Sequence, residues 1–487
     1  MAIDQGTTST RVCLITADGR LAAQQGEAFP QIYPRPGWVE HDPETIWSTT
    51  LKSIQAVMSG RPQGEKIAAI GITNQRETVV VWDAETGRPV MNAIVWQCRR
   101  TQDLCEKLKK AKKQNLIRGK TGLVLDPYFS ATKIQWILKN VPGAAAKAKA
   151  GRLRAGTIDS FLLWRLTGGR VHATDVSNAS RTMLMNIHRG EWDKDLLKLF
   201  GVPASMLPEI RPSSGEFGRT QGLGVLPDGI PITGIAGDQQ AALFGQAAFN
   251  AGEAKCTFGT GSFLLMNTGL KPVPSKAKLL TTIAWKLGDQ KTVYALEGGA
   301  FVCGAAVQWL RDGLGLFEKS SDVEKLAASV PDTGGVEFVP ALTGLGAPHW
   351  RAEARGVITG LTRGTTKAHL ARATLEAMAL QNAEILFAMQ KDLKRKLGAI
   401  RVDGGAAAND LLMQMQADFL GADVLRPVNV ETTAMGAAYL AGLGAGVWTD
   451  LAEIRRVWAL DREFRSRWGN KERRARLEKW LRAVQKT

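Results

Sequence analysis

The chain has 487 residues, 44% of them hydrophobic and 22% charged, a balance that excludes a disordered or fibrous protein and leaves room for two globular domains. Its 63 Lys and Arg outnumber 46 Asp and Glu, a formal net charge of +17; such a surplus attracts anions without choosing among nucleotide, nucleic acid and lipid headgroup. The basic residues crowd at 107–113, 391–396 and 462–482 with no aromatic ladder beside them, so they read as solvated helix faces and no nucleic acid is expected as a partner.

The longest apolar stretches, such as 298–310, are broken by Gly or Gln before reaching the ~20 residues that cross a bilayer, and no membrane span is expected. The first residues, MAIDQGTTST, carry no basic segment ahead of an apolar one, which predicts a cytoplasmic location. Five scattered cysteines without a CxxC pair read as reduced, buried thiols rather than disulfides or a zinc site.

In chain order, the first apolar run ends in DQGTTSTR at 4–11. Gly6 allows the backbone close to a phosphate, Thr7, Thr8 and Ser9 offer N–H and O–H donors, and Asp4 suits Mg²⁺ directly or through water. An ordinary polar turn has the same composition. Further on, IAAIGITNQ and ETVVVWDAETGRPV read as strands, and DAETGRP carries the Gly and Pro of a hairpin turn, so the sheets are expected to mix parallel and antiparallel strands. Within ITNQRET, Arg76 stands beside Glu77 directly after a strand. A surface ion pair is the plain reading. The chemical one is a polyol site, because a guanidinium donates to hydroxyl oxygens while a carboxylate accepts their protons. Trp96, Tyr128 and Phe263 suit the C–H faces of such a ligand, or serve as core.

GIAGDQQAALFGQ at 234–246 sets Asp238 between an apolar strand and an apolar helix, the place of an N-cap or of a general base. Near 245 the pattern starts again: a strand runs into FGTGSF at 258–263, where Gly259 and Gly261 flank Thr260. This predicts halves 1–245 and 246–487 built on one α/β plan, packed directly with a cleft and hinge between them. RVDGGAAAND at 401–410 puts two glycines between strand and helix with Asn409 one turn in, either a plain turn or a cradle for a nucleotide. At the end, Leu477, Trp480, Leu481 and Val484 fall on one helical stripe, which predicts a docking helix.

DQGTTSTR, PGWVEHDPETIW, GITNQRET, NAIVWQCRR, GLVLDPYFSATK, GIAGDQQAALFGQ, FGTGSF, TGLGAPHW, RVDGGAAAND and TAMGAAYLAG follow one another along the chain. In that order they make it resemble the FGGY carbohydrate kinase family, and within it the members that phosphorylate glycerol. The resemblance implies two ribonuclease H-like (actin-like ATPase) domains closing on Mg-ATP, and conversion of ATP and glycerol to ADP and sn-glycerol 3-phosphate in glycerol catabolism. Carried over residue by residue, it implies glycerol contacts at Arg76, Glu77, Trp96, Tyr128, Asp238, Gln239 and Phe263, with Asp238 the catalytic base. It implies nucleotide contacts at Thr7, Thr8, Ser9, Arg11, Thr260, Gly304, Gln308, Gly405 and Asn409, and Mg²⁺ at Asp4 with Asp238 nearby.

Three departures stand out. The family's first strand normally has several more residues than Met1, Ala2 and Ile3, so a shortened strand with fewer ladder bonds is expected. GRTQGLGVLPDG at 218–229 lacks the glycine-rich loop that resembles a fructose bisphosphate site, so that inhibition is not expected here. Arg351 and Ala352 follow TGLGAPHW where the family often has Asp-Pro. Two other readings share the fold: a kinase for a larger sugar such as xylulose or gluconate, which needs a roomier pocket, and an actin-like or heat-shock ATPase with no small-molecule acceptor. The sequence leaves the assembly open, with a homodimer and a homotetramer both compatible.

Overall fold

The computed structural model describes residues 1–61, 65–351 and 353–487; Ala352 lies outside them. The first half is organised by six strands and one covering helix: β1 (Ala2–Gln5), β2 (Ser9–Ile15), β3 (Leu21–Ala28), α1 (Pro43–Ser59), β4 (Ile70–Asn74), β5 (Ser214–Arg219) and β6 (Pro231–Gly237). They align as β5-β6-β4-β1-β2-β3. β1 pairs antiparallel with β2 and parallel with β4, and β4 is parallel to β6. In register, Gln5 and Gly237 both face Asn74, so three parallel strands end together and the turns after them share one edge. Such an edge is where α/β sheets place ligands. β1 is fully paired on both sides, and β2 continues through Leu14 and Ile15 past its last β1 partner.

The expected hairpin is present: strand Val79–Asp83 pairs antiparallel with Ala93–Ile94. The Asp83 carboxylate accepts the Glu85 and Thr86 N–H groups at 3.1 and 3.2 Å, closing the turn from its own side chain.

Beyond β6 the chain forms α2 (Asp238–Gly245), then β7 (Ala254–Phe258), β8 (Ser262–Gly269), β9 (Leu280–Trp285), β10 (Val293–Ala300) and α3 (Gly304–Gln308). After these come α4 (Lys367–Leu393), β11 (Ala399–Asp403), α5 (Asp410–Leu420), β12 (Asp423–Pro427), α6 (Thr432–Gly444), β13 (Leu460–Phe464) and α7 (Asn470–Val484). The second sheet runs β9-β10-β8-β7-β11-β12-β13. β7 is antiparallel to β8 and parallel to β11, the relation of β1 to β2 and β4. The two halves are variants of one fold, and turn 259–261 repeats turn 6–8.

Helix α6 belongs to the second half in sequence but lies on the first sheet. Ser214 Oγ and Thr233 Oγ1 donate to the Leu440 and Ala441 carbonyls, each at 2.8 Å. A Cβ on Gly71 would stand 2.1 Å from the Ala437 carbonyl oxygen, and one on Gly436 only 1.8 Å from that of Ala241. Hydrogen in place of a side chain lets α6 press onto β4 and cross α2. From the end of α2, Gln246 Nε2 reaches the Asp403 carboxylate at 2.8 Å in the second half. A cut at residue 245 therefore separates α6 from the sheet it covers. At the C-terminus, Trp480 and Val484 of α7 are buried and Leu477 and Leu481 pack beside them, as the helical stripe predicts. All five cysteines are free and buried. Among the described residues, no helix is long and apolar enough to cross a membrane.

Candidate active site

Asp4, Arg76 and Asp238 come from β1, the turn after β4, and the first residue of α2, which the strand register brings to one edge. Gly237 occupies the N-cap position of α2, so Asp238 is not the cap. Its carboxylate accepts its neighbour Gln239's N–H at 2.7 Å and lies 3.1 Å from Arg76 Nε, with 28% of the side chain still exposed. Burial pushes its pKa up, against the pull of Arg76 and Lys255. The Asp4 carboxyl is pushed up to about 7, by burial first and then by the negative charge of Asp238. The negative charge of Asp238 thus adds to the cost of ionising Asp4.

Arg76 and Glu77 are not the surface pair their sequence suggests: both side chains are about 98% buried. Arg76 donates Nη1 and Nη2 to the two Glu297 oxygens at 2.6 and 2.8 Å, Nη1 to Gln240 Oε1 at 3.2 Å and Nη2 to the Tyr128 hydroxyl at 3.4 Å. Arg181, fully buried, donates Nε to Glu77 at 2.6 Å and Nη2 to Glu297 at 2.9 Å. Glu77 has a φ of 61°, a conformation that a non-glycine residue keeps only when its surroundings impose it. Ser130 Oγ and Lys133 Nζ impose it here, each donating to the Glu77 carbonyl at 3.2 Å. Lys133 also holds the Tyr128 carbonyl at 2.5 Å, and burial lowers its ammonium to a pKa of about 8.

Three aromatic rings wall this charged cluster. Trp96 meets Tyr128 edge-on at 5.6 Å and Phe263 at 6.3 Å, and its indole N–H donates to Thr7 Oγ1 at 3.0 Å. Phe263 belongs to β8, so the wall closes from both halves. Gln239 accepts a hydrogen bond from the buried Lys255 ammonium. The seven residues assigned to an acceptor alcohol thus stand in one network.

The residues assigned to a nucleotide lie in turns along the two sheet edges. In the first, Gly6 N–H bonds the Ser9 carbonyl at 2.9 Å, Thr8 is exposed, and Thr7 and Ser9 are half-buried. Arg11 is ion-paired with Glu431 ahead of α6. In the second, exposed Thr260 accepts the Cys303 and Ala305 N–H groups at 2.8 and 3.0 Å, which seats Gly304 against the turn, and Gln308 is exposed at the end of α3. In the third, Gly405 is exposed and begins a 3-10 turn through Ala408. That turn shifts Asn409 out of the helix interior expected for it: it is the N-cap of α5, accepting Leu412 N–H at 2.8 Å.

Sequence reasoning missed Arg181, Glu297, Lys133, Lys255 and Gln240. None lies in a glycine turn. The available signal was a charge set among apolar or small neighbours, as in VYALEGGAFV, EAKCTF and SNASRTML, since such charges are buried only when paired. A cavity of about 740 Å³ lies elsewhere, between the 84–89 turn and Trp164, where Glu44 already pairs with Arg165.

Two sheets of one topology, glycine turns at their strand ends and a helix pair crossing between them define the actin-like ATPase and sugar-kinase class. Residues 1–245 match the FGGY family of carbohydrate kinases, N-terminal domain, and residues 254–445 its C-terminal domain. The chain belongs to this family. A protein of Bdellovibrio bacteriovorus named glycerol kinase is 70% identical, covering 100% of this chain and 98% of its own length. A glycerol kinase of Symbiobacterium thermophilum is 58% identical over 100% of this chain and 97% of its own. The crystal structure of Plasmodium falciparum glycerol kinase with ADP superposes with a TM-score of 0.93 at 39% identity, covering 100% of this chain and 97% of that one.

Proposed function

We propose that the chain is an ATP-dependent kinase that transfers the γ-phosphoryl group to glycerol, giving ADP and sn-glycerol 3-phosphate in glycerol catabolism. The observation that carries this reading is the pairing of a half-open Asp238 with a buried Arg76 and Glu77 inside an aromatic wall. Arg76 and Glu77 hold hydroxyl groups by opposite hydrogen-bond senses, while Trp96, Tyr128 and Phe263 cover carbon. Gln239 adds an amide beside the base. A site walled this closely suits a three-carbon triol, and the full-length relatives carry the matching name.

Asp238 takes the proton of the attacking hydroxyl, and its raised pKa makes it the stronger base for that step. The turns with Thr7, Thr8, Ser9 and Arg11, and with Thr260 and Gly304, present N–H and side-chain donors to the triphosphate, while Gln308, Gly405 and Asn409 receive the rest of the nucleotide. Closure of the halves keeps water from the phosphoryl group. The donor set fits Mg²⁺: Asp4 and Asp238 are hard oxygen donors whose charges repel each other, and a divalent cation between them relieves that repulsion. Bound there, Mg²⁺ would offset phosphate charge.

ADP formation measured with glycerol, dihydroxyacetone and D-xylulose tests the assignment; preference for the pentulose overturns it. Asp238→Asn is expected to keep nucleotide binding and to lose turnover by about 10²–10⁴-fold. Near-normal turnover in that variant removes Asp238 as the base.

A further inference from the structure

The charged side chains behind the site form one alternating chain: Asp238, Arg76, Glu297, Arg181, Glu77. Its links are 3.1 Å from Asp238 to Arg76, 2.6 and 2.8 Å from Arg76 to Glu297, 2.9 Å from Glu297 to Arg181 and 2.6 Å from Arg181 to Glu77. Every member except Asp238 is at least about 97% buried. Glu297 is the central link, and its Oε1 accepts from both arginines. It stands on β10, in the sheet of the second half, whereas Arg76, Glu77 and Arg181 belong to the first.

Burying this many charges is a poor route to stability, because apolar residues of the same volume generally serve a core as well or better. One NH₂ group is even left over: among the described residues, Arg181 Nη1 is buried without a hydrogen-bond partner, its guanidinium wedged 5.8 and 5.3 Å from the Tyr128 and Phe129 rings. What the arrangement does provide is orientation. A guanidinium on a long, flexible stem can turn its donor edges in many directions, and a two-point carboxylate fork fixes its plane. With both Nη atoms tied to Glu297, the Nε edge of Arg76 is turned to Asp238. With Nε of Arg181 on Glu77 Oε1, the rotation of that carboxylate is set as well.

We infer that Glu297 is a positioning residue for the acceptor alcohol, supplied by the second half of the molecule and acting through Arg76, with Arg181 carrying the alignment on to Glu77. This rests on the reading that Arg76 and Glu77 hold the acceptor's hydroxyls. The site for the alcohol is then complete only when the two halves are packed as here.

Steady-state kinetics on the full chain test it, with Glu297→Gln, which keeps the shape and removes the charge, and Glu297→Asp, which keeps the charge and shortens the fork. Wild-type turnover of glycerol checks the underlying reading separately; its absence sinks that reading, whatever the variants do. Given an active wild type, both variants are expected to lose about 10²-fold in kcat/KM for glycerol, as misplaced reacting groups do, with the KM for ATP within about twofold. Combining Glu297→Gln with Arg76→Lys is expected to cost little beyond Arg76→Lys alone, because the two act as a unit. Unchanged glycerol kinetics in either folded variant, an equal rise in the KM for ATP, or fully multiplicative losses in the double variant overturn the inference. Should Glu297→Gln fail to fold, Glu297→Asp alone decides between these outcomes.

Discussion

His41 stands outside the residues assigned to the alcohol, yet it supports the first glycine turn. It is fully buried, its ring bonds Gln31 at 2.7 Å and Gln75 at 3.3 Å, and those amides donate to the Thr7 and Gly6 carbonyls at 2.9 and 3.0 Å. Burial pushes its pKa down to about 4 from an ordinary 6.5. Below pH 6.5 an unfolded chain takes up this proton while the native ring refuses it until about pH 4, so stability falls as pH drops through that window. The full effect of one such group is roughly 3 kcal/mol. Asp4, with its raised pKa, works in the opposite sense, so the comparison must be between proteins. Urea midpoints at pH 6.5 and 4.5 should differ less in His41→Gln than in the wild type; equal differences would place the ring's proton outside the folding equilibrium. At this scale the sequence showed residues at or just after strand ends, Asp4 in the last residues of β1 and Arg76, Glu77 and Asp238 beyond β4 and β6, because turn chemistry is local. Glu297 and Arg181 were invisible, since what makes them matter is each other, 116 residues apart.

Helix α6 shows what a pattern can and cannot reveal about an element. TAMGAAYLAG is legible as a helix of small residues, but nothing in it says which sheet receives it. The answer lies in contacts between backbones: a Cβ at Gly436 would sit 1.8 Å from the Ala241 carbonyl oxygen, closer than any real contact, and that oxygen is on a helix pinned from both sides. Gly436→Ala must therefore push α6 off α2 and is expected to destabilise the protein by more than about 3 kcal/mol. Gly119→Ala is the control, since Gly119 lies within a helix with no atom in the way of a new methyl group; there the better helix former should leave stability unchanged or raise it by up to about 1 kcal/mol. Thermal melting of the two variants checks both expectations, and a Gly436→Ala protein that melts with the wild type would mean that the helices part easily. Asn409 makes the same point in miniature: two glycines announced a turn, but not that 405–408 would form a 3-10 turn and leave the side chain as a cap.

At the scale of the molecule, the repeated glycine turns disclosed two halves of one plan, and the strand order of both sheets follows it. The two halves divide in sequence at 245, where the match to the family's N-terminal domain also ends, and in space they exchange structure. α2 sends Gln246 to the Asp403 carboxylate, and α6 returns to cover β4 and β6. An isolated 1–245 fragment would lose that cover. Gly71 and Gly234, which face α6 at backbone distance, would present bare peptide groups, and Ser214 and Thr233 would lose the carbonyls that accept their hydroxyls. Apolar neighbours such as Ala236, Leu243 and Phe244, now in one core cluster with Met435 and Leu440, would meet water. The fragment is therefore expected to be insoluble or to unfold without a cooperative transition, although it holds a whole sheet and every residue assigned to the alcohol except Phe263. Fusing residues 428–457 to it through a flexible linker should restore a cooperative urea transition, because that segment supplies α6 and the Trp448 that packs on Tyr439 at 5.2 Å. A fragment 1–245 that folds cooperatively without this addition would show that α6 contributes little to the stability of the first half.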